Sequence, residues 1–267
     1  MRLHAHTHLY EGAARRALAV HCTLGHVGAW RGVASALKDD LSLLAFDLPS
    51  HGKSGVWDRT GNLHDVATDM ARQIICSGAL PTPVDLIGHS FGATIALRIA
   101  VESPQLVRSL TMIEPVYFAA ALQDNPDLLA QQQQANAALD AAFAGGDERE
   151  AARVFNRDWG DGTPWDLLPE RMKDHMERLI HYVPGSSAFL HGDSANLLEE
   201  GRMARAAMPT LILEGDQSPP MSAQVGHSLI RRLPDVARVV VKGAGHMLPI
   251  THPDQVVGPL RALLARS

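Results

Sequence analysis

Over its first third the chain alternates short, nearly uninterrupted apolar runs with longer helix-length stretches. That rhythm constrains the fold more than any other feature. Ala17–His21, Leu43–Phe46, Val84–Ile87 and Leu110–Ile113 have few polar positions, as expected of parallel strands covered on both faces. Between them lie Trp30–Leu37, Leu63–Ser77 and Phe91–Ser103, each of helix length. Strands spaced by helices in this way predict βαβ units and a doubly wound, mostly parallel sheet. A chain of 267 residues with 46% hydrophobic and 20% charged residues has enough apolar material for a substantial core and does not have the composition of a disordered protein.

The rhythm stops after Pro115. From Val116 to Ala207 no buried strand is predicted; Leu128–Phe143, Asp147–Trp159 and Pro169–Val183 read as helices, punctuated by Gly145-Gly146, Gly160-Asp161-Gly162 and Pro184-Gly185. The Gln131–Gln134 run reads as a solvated helix face. Strands resume at Thr210–Leu213 and Ala237–Val241, with helices at Ser222–Leu233 and Pro253–Leu264. The expected organisation is therefore a sheet domain, residues 1–115 and 208–267, interrupted by a helical insertion, residues 116–207.

The chemistry centres on Gly88-His89-Ser90-Phe91-Gly92, a G-x-S-x-G sequence between a strand and a helix. A sharp strand-to-helix turn there would lift the Ser90 hydroxyl off the sheet, and the glycines leave room for it. Three other segments fall at strand ends: Val20-His21-Cys22-Thr23-Leu24-Gly25-His26, Phe46-Asp47-Leu48-Pro49-Ser50-His51-Gly52-Lys53-Ser54 and Gly243-Ala244-Gly245-His246-Met247. With these four motifs in this order, the chain resembles the α/β-hydrolase superfamily over essentially its whole length. It departs from that pattern in two places: the usual His-Gly pair is His21-Cys22 here, and Ser50 replaces the first glycine of the D-x-x-G-x-G-x-S turn.

The resemblance implies that Ser90 is the nucleophile, His246 the general base, and the backbone N–H groups of Thr23 and Phe91 the oxyanion hole. It implies a cap above the nucleophile for the helical insertion, where Tyr117, Phe118, Phe143, Phe155, Trp159, Trp165, Tyr182 and Phe189 could wall an apolar pocket, although most of them are expected to pack the cap helices on each other. The third triad member is less determined. Relatives usually carry an acid in a G-x-x-D pattern after the strand at Thr210–Leu213, where this chain has Ser218. Asp216 and Glu214 lie nearby, and Glu114 follows the strand at Leu110–Ile113, a position some relatives use. Glu114 is favoured and Asp216 kept as the alternative.

Other residues receive plainer readings. Cys22 is expected to be a small buried filler and Cys76 a core residue, and two cysteines make no disulfide framework. Arg153, Arg157, Arg171, Arg178 and His181 could meet a substrate carboxylate but read better as a solvated helix face. His4-Ala5-His6-Thr7-His8 would align three imidazoles on one strand face, which raises metal-dependent hydrolysis as a second hypothesis. An exposed edge strand is the preferred account, with no metal. A non-catalytic ligand-binding protein is a third hypothesis, prompted only by Ser218. The net charge of −5 argues against a nucleic-acid partner, and no apolar run reaches the length of a membrane span. The expectation is a cytoplasmic hydrolase acting on a small-molecule carboxylic ester or lactone through an acyl-enzyme, with no cofactor. Carbon–carbon bond hydrolysis of a dienoic diketone is the alternative, and the oligomeric state is left open.

Overall fold

A computed structural model describes residues 3–267. Seven strands form one sheet: β1 (Thr7–Tyr10), β2 (Arg16–Val20), β3 (Ser42–Phe46), β4 (Val84–His89), β5 (Val107–Ile113), β6 (Thr210–Gly215) and β7 (Val236–Val241). Their spatial order is β1-β3-β2-β4-β5-β6-β7, with β1 antiparallel to β3 and every other pair parallel. The helices before the insertion are α1 (Arg31–Ala36), α2 (Leu63–Cys76) and α3 (Phe91–Glu102). Between β5 and β6 come α4 (Phe118–Asp124), α5 (Leu128–Ala144), α6 (Glu148–Trp159), α7 (Glu170–Leu179) and α8 (Tyr182–Leu190). The chain then adds α9 (Pro220–Ile230), α10 (Leu248–Thr251) and α11 (Pro253–Leu264). No described helix is long and apolar enough to cross a membrane.

The sheet is covered on both faces, which is why the apolar runs are continuous. Leu18, Val20, Phe46 and Leu86 point to one layer with α2 and α3, while Ala17, Ala19, Leu43 and Ile87 point to the other with α1 and α11. At the N-terminal edge the buried Asp85 carboxylate accepts from Arg15, Arg108 and Ser109, so a charge inside the sheet is fully paired.

Topology decides where a site can form. From β2 the chain winds one way to β3, then crosses back over β2 to β4. The loops leaving the C-terminal ends of β2 and β4 therefore diverge and leave a crevice, the usual ligand position in open α/β sheets. Thr23 lies on one side of it and Ser90 on the other.

The sequence-based expectations need correction at four points. Cys76 is exposed, because α2 buries Ala67, Ala71, Ile74 and Ile75 and its last residue falls on the opposite side. The stretch read as one helix from Pro169 is two, α7 and α8, broken near Ile180. Pro184 and Gly185 lie within α8 rather than ending a helix. Proline is tolerated there because it is the third residue of the helix, where no backbone acceptor awaits its N–H. Finally, the Gln131–Gln134 run is exposed at Gln131, Gln133 and Gln134 as expected, but Gln132 is half-buried and with Gln131 lines a cavity.

Two glycines set the elbow between β4 and α3. A Cβ on Gly92 would stand 2.1 Å from the Val20 carbonyl oxygen, and one on Gly88 would stand 2.3 Å from that of Gly92. Backbone atoms of a packed sheet cannot yield that much. Gly92→Ala is expected to cost about 1–3 kcal/mol of stability, the typical overpacking penalty, seen as a lower urea midpoint at unchanged m-value.

Candidate active site

Ser90 occupies the corner between β4 and α3 with φ 55° and ψ −118°, a left-handed conformation rare for a non-glycine residue. Its backbone N–H donates to the Ile113 carbonyl at 2.8 Å, which anchors the corner to β5. The side chain is nearly buried, at 6% exposure, and opens only into a cavity above it.

His246 arrives from the loop after β7. Its Nε2 lies 2.9 Å from Ser90 Oγ and its Nδ1 lies 3.1 Å from Glu114 Oε2. A carboxylate only accepts, so the proton sits on Nδ1 and Nε2 is left to accept from the serine hydroxyl. Glu114 is fully buried and follows β5 in a left-handed conformation, φ 52°. Its other oxygen accepts from Gly215 N–H at 2.5 Å and Ser218 Oγ at 2.7 Å. Burial pushes the Glu114 pKa up, but hydrogen bonding and the charge interaction with His246, with help from Ser218 and Gly215, outweigh it and hold the pKa below the usual value.

Of the two favoured carboxylates, it is thus Glu114 that meets the imidazole. Asp216 is exposed, and its Oδ1 accepts from Gly243 N–H at 2.7 Å, tying the β6 loop to the loop that carries His246. Glu214 turns the other way and pairs with Arg238. Ser218, at the position where relatives carry their acid, instead donates to the acid supplied by β5.

Thr23 and Ser90 both line the cavity, and the N–H groups of Thr23 and Phe91 make no hydrogen bond among the described residues. Two free donors beside a serine suit an oxyanion. The loop holding Thr23 is fixed by two histidines. His51 Nε2 accepts from Leu24 N–H at 3.1 Å, and His21 Nε2 accepts from Leu48 N–H at 3.0 Å. Each gives its Nδ1 proton to a nearby carbonyl, that of Pro49 for His51 and of Cys22 for His21. The loops after β2 and β3 thereby clamp each other. A third histidine, His89, donates from Nε2 to the His246 carbonyl at 2.8 Å and so holds the loop carrying His246 against the elbow.

The sequence showed His89, His21 and His51 only as members of the quoted motifs and gave none of them a bridging role. Their signal was a histidine at the end of an apolar run or inside a tight turn. Ser50, in the expected glycine position, has φ 64°; its Oγ accepts from Trp57 N–H at 2.9 Å.

Cys22 is buried, and burial pushes its thiol up to about 12, so it is an inert filler. His8 lies in the edge strand β1, and His6 Nδ1 is 2.8 Å from Asp47 Oδ2. Among the described residues no three His, Cys, Asp or Glu side chains form a group that could hold a metal ion.

The cavity has a volume of about 270 Å³ and lies between Ser90 and the helices inserted after β5. Phe118, Phe155, Trp159, Leu139 and Leu190 supply apolar wall. Trp159 meets His246 edge to face, with ring centroids 4.7 Å apart. Trp165, Tyr117, Tyr182, Phe143 and Phe189 do not line it. Arg153 and Arg157 pair with Glu150 and Asp158 on the surface, and among the described residues no Asp, Glu, Lys or Arg lines the cavity.

Comparison with known proteins agrees with this architecture. Residues 18–253 match a family described as the alpha/beta hydrolase fold, and the chain belongs to that family. It is 27% identical to a pimeloyl-[acyl-carrier protein] methyl ester esterase of Xanthomonas campestris, over 90% of this chain and 91% of that protein. It is 23% identical to the (E)-2-((N-methylformamido)methylene)succinate hydrolase of Acinetobacter baylyi, over 96% of this chain and 93% of the relative. A hydrolase from Pseudomonas aeruginosa shares the fold with TM-score 0.74 at 19% identity, over 97% and 94% of the two chains. The protein is thus an enzyme of the α/β-hydrolase class.

The buried histidines make stability depend on pH. Burial lowers His21 to about 4 and His89 to about 3, and holds His51 and His64 well below the ordinary histidine value. These groups are neutral when folded but take up protons below about pH 6.5 when unfolded. Their contribution is therefore complete above pH 6.5 and is lost progressively as pH falls toward 4. The free energy of unfolding in urea is expected to fall by several kcal/mol, to order of magnitude, between pH 7 and pH 5. A flat profile over that range would contradict the neutral clamps.

Proposed function

We propose that the protein hydrolyses a carboxylic ester or lactone through an acyl-enzyme, with Ser90 as nucleophile, His246 as general base and acid, and Glu114 as the orienting carboxylate. The unbroken hydrogen-bonded chain from Ser90 Oγ through His246 to Glu114, at the floor of a cavity, carries this reading. A serine hydroxyl is a poor nucleophile at neutral pH. An imidazole with its Nδ1 proton fixed by a carboxylate takes the hydroxyl proton as the oxygen attacks the carbonyl. Charge developing on the carbonyl oxygen would meet the N–H groups of Thr23 and Phe91, each worth about 2.7–4 kcal/mol where such donors have been removed. His246 then passes its proton to the leaving alcohol. A water deprotonated by the same imidazole attacks the acyl carbon, the bond to Ser90 Oγ breaks, and the acid leaves.

The helices between β5 and β6, residues 116–207, serve as the cap in this reading. Trp159 shields one edge of the imidazole from water, and the aromatic walls accept an apolar acyl or alcohol group. The ester substrate named for the Xanthomonas campestris relative is consistent with this chemistry. The carbon–carbon alternative is less well supported. A dienoic diketone carries a carboxylate, and the described residues lining the cavity offer it neither Arg nor Lys.

Acid release in a pH-stat, across short and medium acyl esters and simple lactones, tests the proposal. Ser90→Ala and His246→Ala are expected to abolish turnover while remaining folded. Glu114→Gln is expected to lower kcat by about 10³–10⁴, as loss of the orienting acid does in such triads. Asp216→Asn should stay within a few-fold of wild type; the opposite ordering of the two carboxamide variants would overturn the acid assignment.

A further inference from the structure

The cavity carries polar groups that the ester chemistry leaves unused. On α5, residues 128, 131, 132, 135, 136 and 139 recur at helical spacing and turn one face toward the cavity. Within that stripe Leu128, Ala135 and Leu139 are apolar, while Gln131, Gln132 and Asn136 present carboxamides. Gln224, on α9, adds a fourth. The carboxamides of Gln131, Asn136 and Gln224 make no hydrogen bond among the described residues, so their donors and acceptors are open to an incoming group.

Gln132 is different. Its Nε2 donates to His191 Nε2 at 3.1 Å, and His191 Nδ1 lies 3.3 Å from Ser187 Oγ. The pairing holds the Gln132 carboxamide in place and leaves its oxygen to accept. Gln131, Gln224 and His191 are exposed whereas Ser90 is nearly buried, so the amide groups lie toward the solvent side and the reacting serine at the closed end. The outer part of the cavity is therefore polar, rich in both donors and acceptors, and uncharged.

On the reading of Ser90 as an esterase nucleophile, we propose that Gln132 and Asn136, with Gln132 braced by His191, form a specificity subsite. It recognises an uncharged hydrogen-bonding group, a carboxamide or hydroxyl, on the substrate arm remote from the scissile carbonyl. A carboxamide side chain meets a substrate carboxamide with matched donor and acceptor, whereas a carboxylate arm would find no Arg or Lys among the described lining residues to pair it.

The test uses aryl esters with acyl arms of equal length that end in a carboxamide, in the isosteric isopropyl group or in a carboxylate. Wild type is expected to favour the carboxamide arm over the isopropyl arm about tenfold in kcat/KM, the size of one or two net neutral hydrogen bonds. The difference should lie mainly in KM. In the double variant Gln132→Leu, Asn136→Leu, checked for folding by its thermal midpoint, that ratio should fall toward one. An isopropyl preference in wild type, a ratio that survives the double variant, or fastest turnover of the carboxylate arm would each overturn the proposal. Calorimetric binding of the matching non-hydrolysable ketones to Ser90→Ala separates this subsite from the chemistry. Tighter binding of the carboxamide ketone with no ester turnover in wild type would keep the subsite and sink the esterase reading. Equal binding of carboxamide and isopropyl ketones would sink the subsite alone.

Discussion

A buried negative charge organises the C-terminal edge of the sheet. Glu114 is wholly inaccessible, and a carboxylate in such surroundings is costly unless donors surround it. Its three donors come from places far apart in sequence: Gly215 at the end of β6, Ser218 in the following loop, and His246 beyond β7. Satisfying one charge thus fixes the ends of β5 and β6 and the loop that delivers the imidazole. The same bonds that make the charge tolerable also set the tautomer of His246, so the electrostatic requirement of the fold and the geometric requirement of the site are met by one set of contacts.

The loops on the other side of the crevice are held without charge. His21 and His51 each use one ring nitrogen to accept and the other to donate, bridging the loops after β2 and β3, and His89 extends the device to the loop carrying His246. A neutral imidazole suits this work, since it offers one donor and one acceptor on a rigid ring and needs no counter-ion. Strain gathers in the same region. Leu24, Ser50, Ser90 and Glu114 all have positive φ, and all four lie at or beside the loops that frame the crevice. Conformations of this kind cost roughly 1–3 kcal/mol each and persist only where surrounding bonds over-determine them. The histidine bridges and the hydrogen bonds at Ser50 and Ser90 are such bonds.

Much of this was legible in the sequence, for a physical reason. Strands covered on both faces must be continuously apolar, so β2 to β6 announced themselves, while β7, half-exposed at the sheet edge, showed through its run of valines, and the glycines of the elbow marked a backbone approach that only glycine permits. What hid was set by tertiary contact. Nothing local to Glu114 or Asp216 says which carboxylate the histidine will meet; that depends on β5 and β6 being neighbours and on Ser218 turning toward Glu114. The Gln131–Gln134 run looked solvated because helical spacing alone does not say which stripe of α5 faces a cavity. Pro184 read as a helix stop because its place in the first turn of α8 could not be known before the break at Ile180 was.

In the proposed mechanism, the absence of Asp, Glu, Lys and Arg from the described residues that line the cavity bears on catalysis as well as on selectivity. An Arg or Lys lining the cavity near His246 would favour the neutral imidazole and oppose the positive charge that forms on it as the serine gives up its proton. Here the groups that meet His246 besides Ser90 are the ring of Trp159, set nearly at right angles to it, the carboxylate of Glu114 and the neutral His89. An imidazolium forming among them is opposed by no like charge on the cavity side and favoured by the carboxylate behind it. Carboxamides at the outer end can bind a polar group without adding a field at the reacting atoms, because amide dipoles fall off with distance much faster than a full charge. On the proposed reading, a neutral rim would let substrate recognition vary along α5 while the electrostatics around His246 stay set by Glu114.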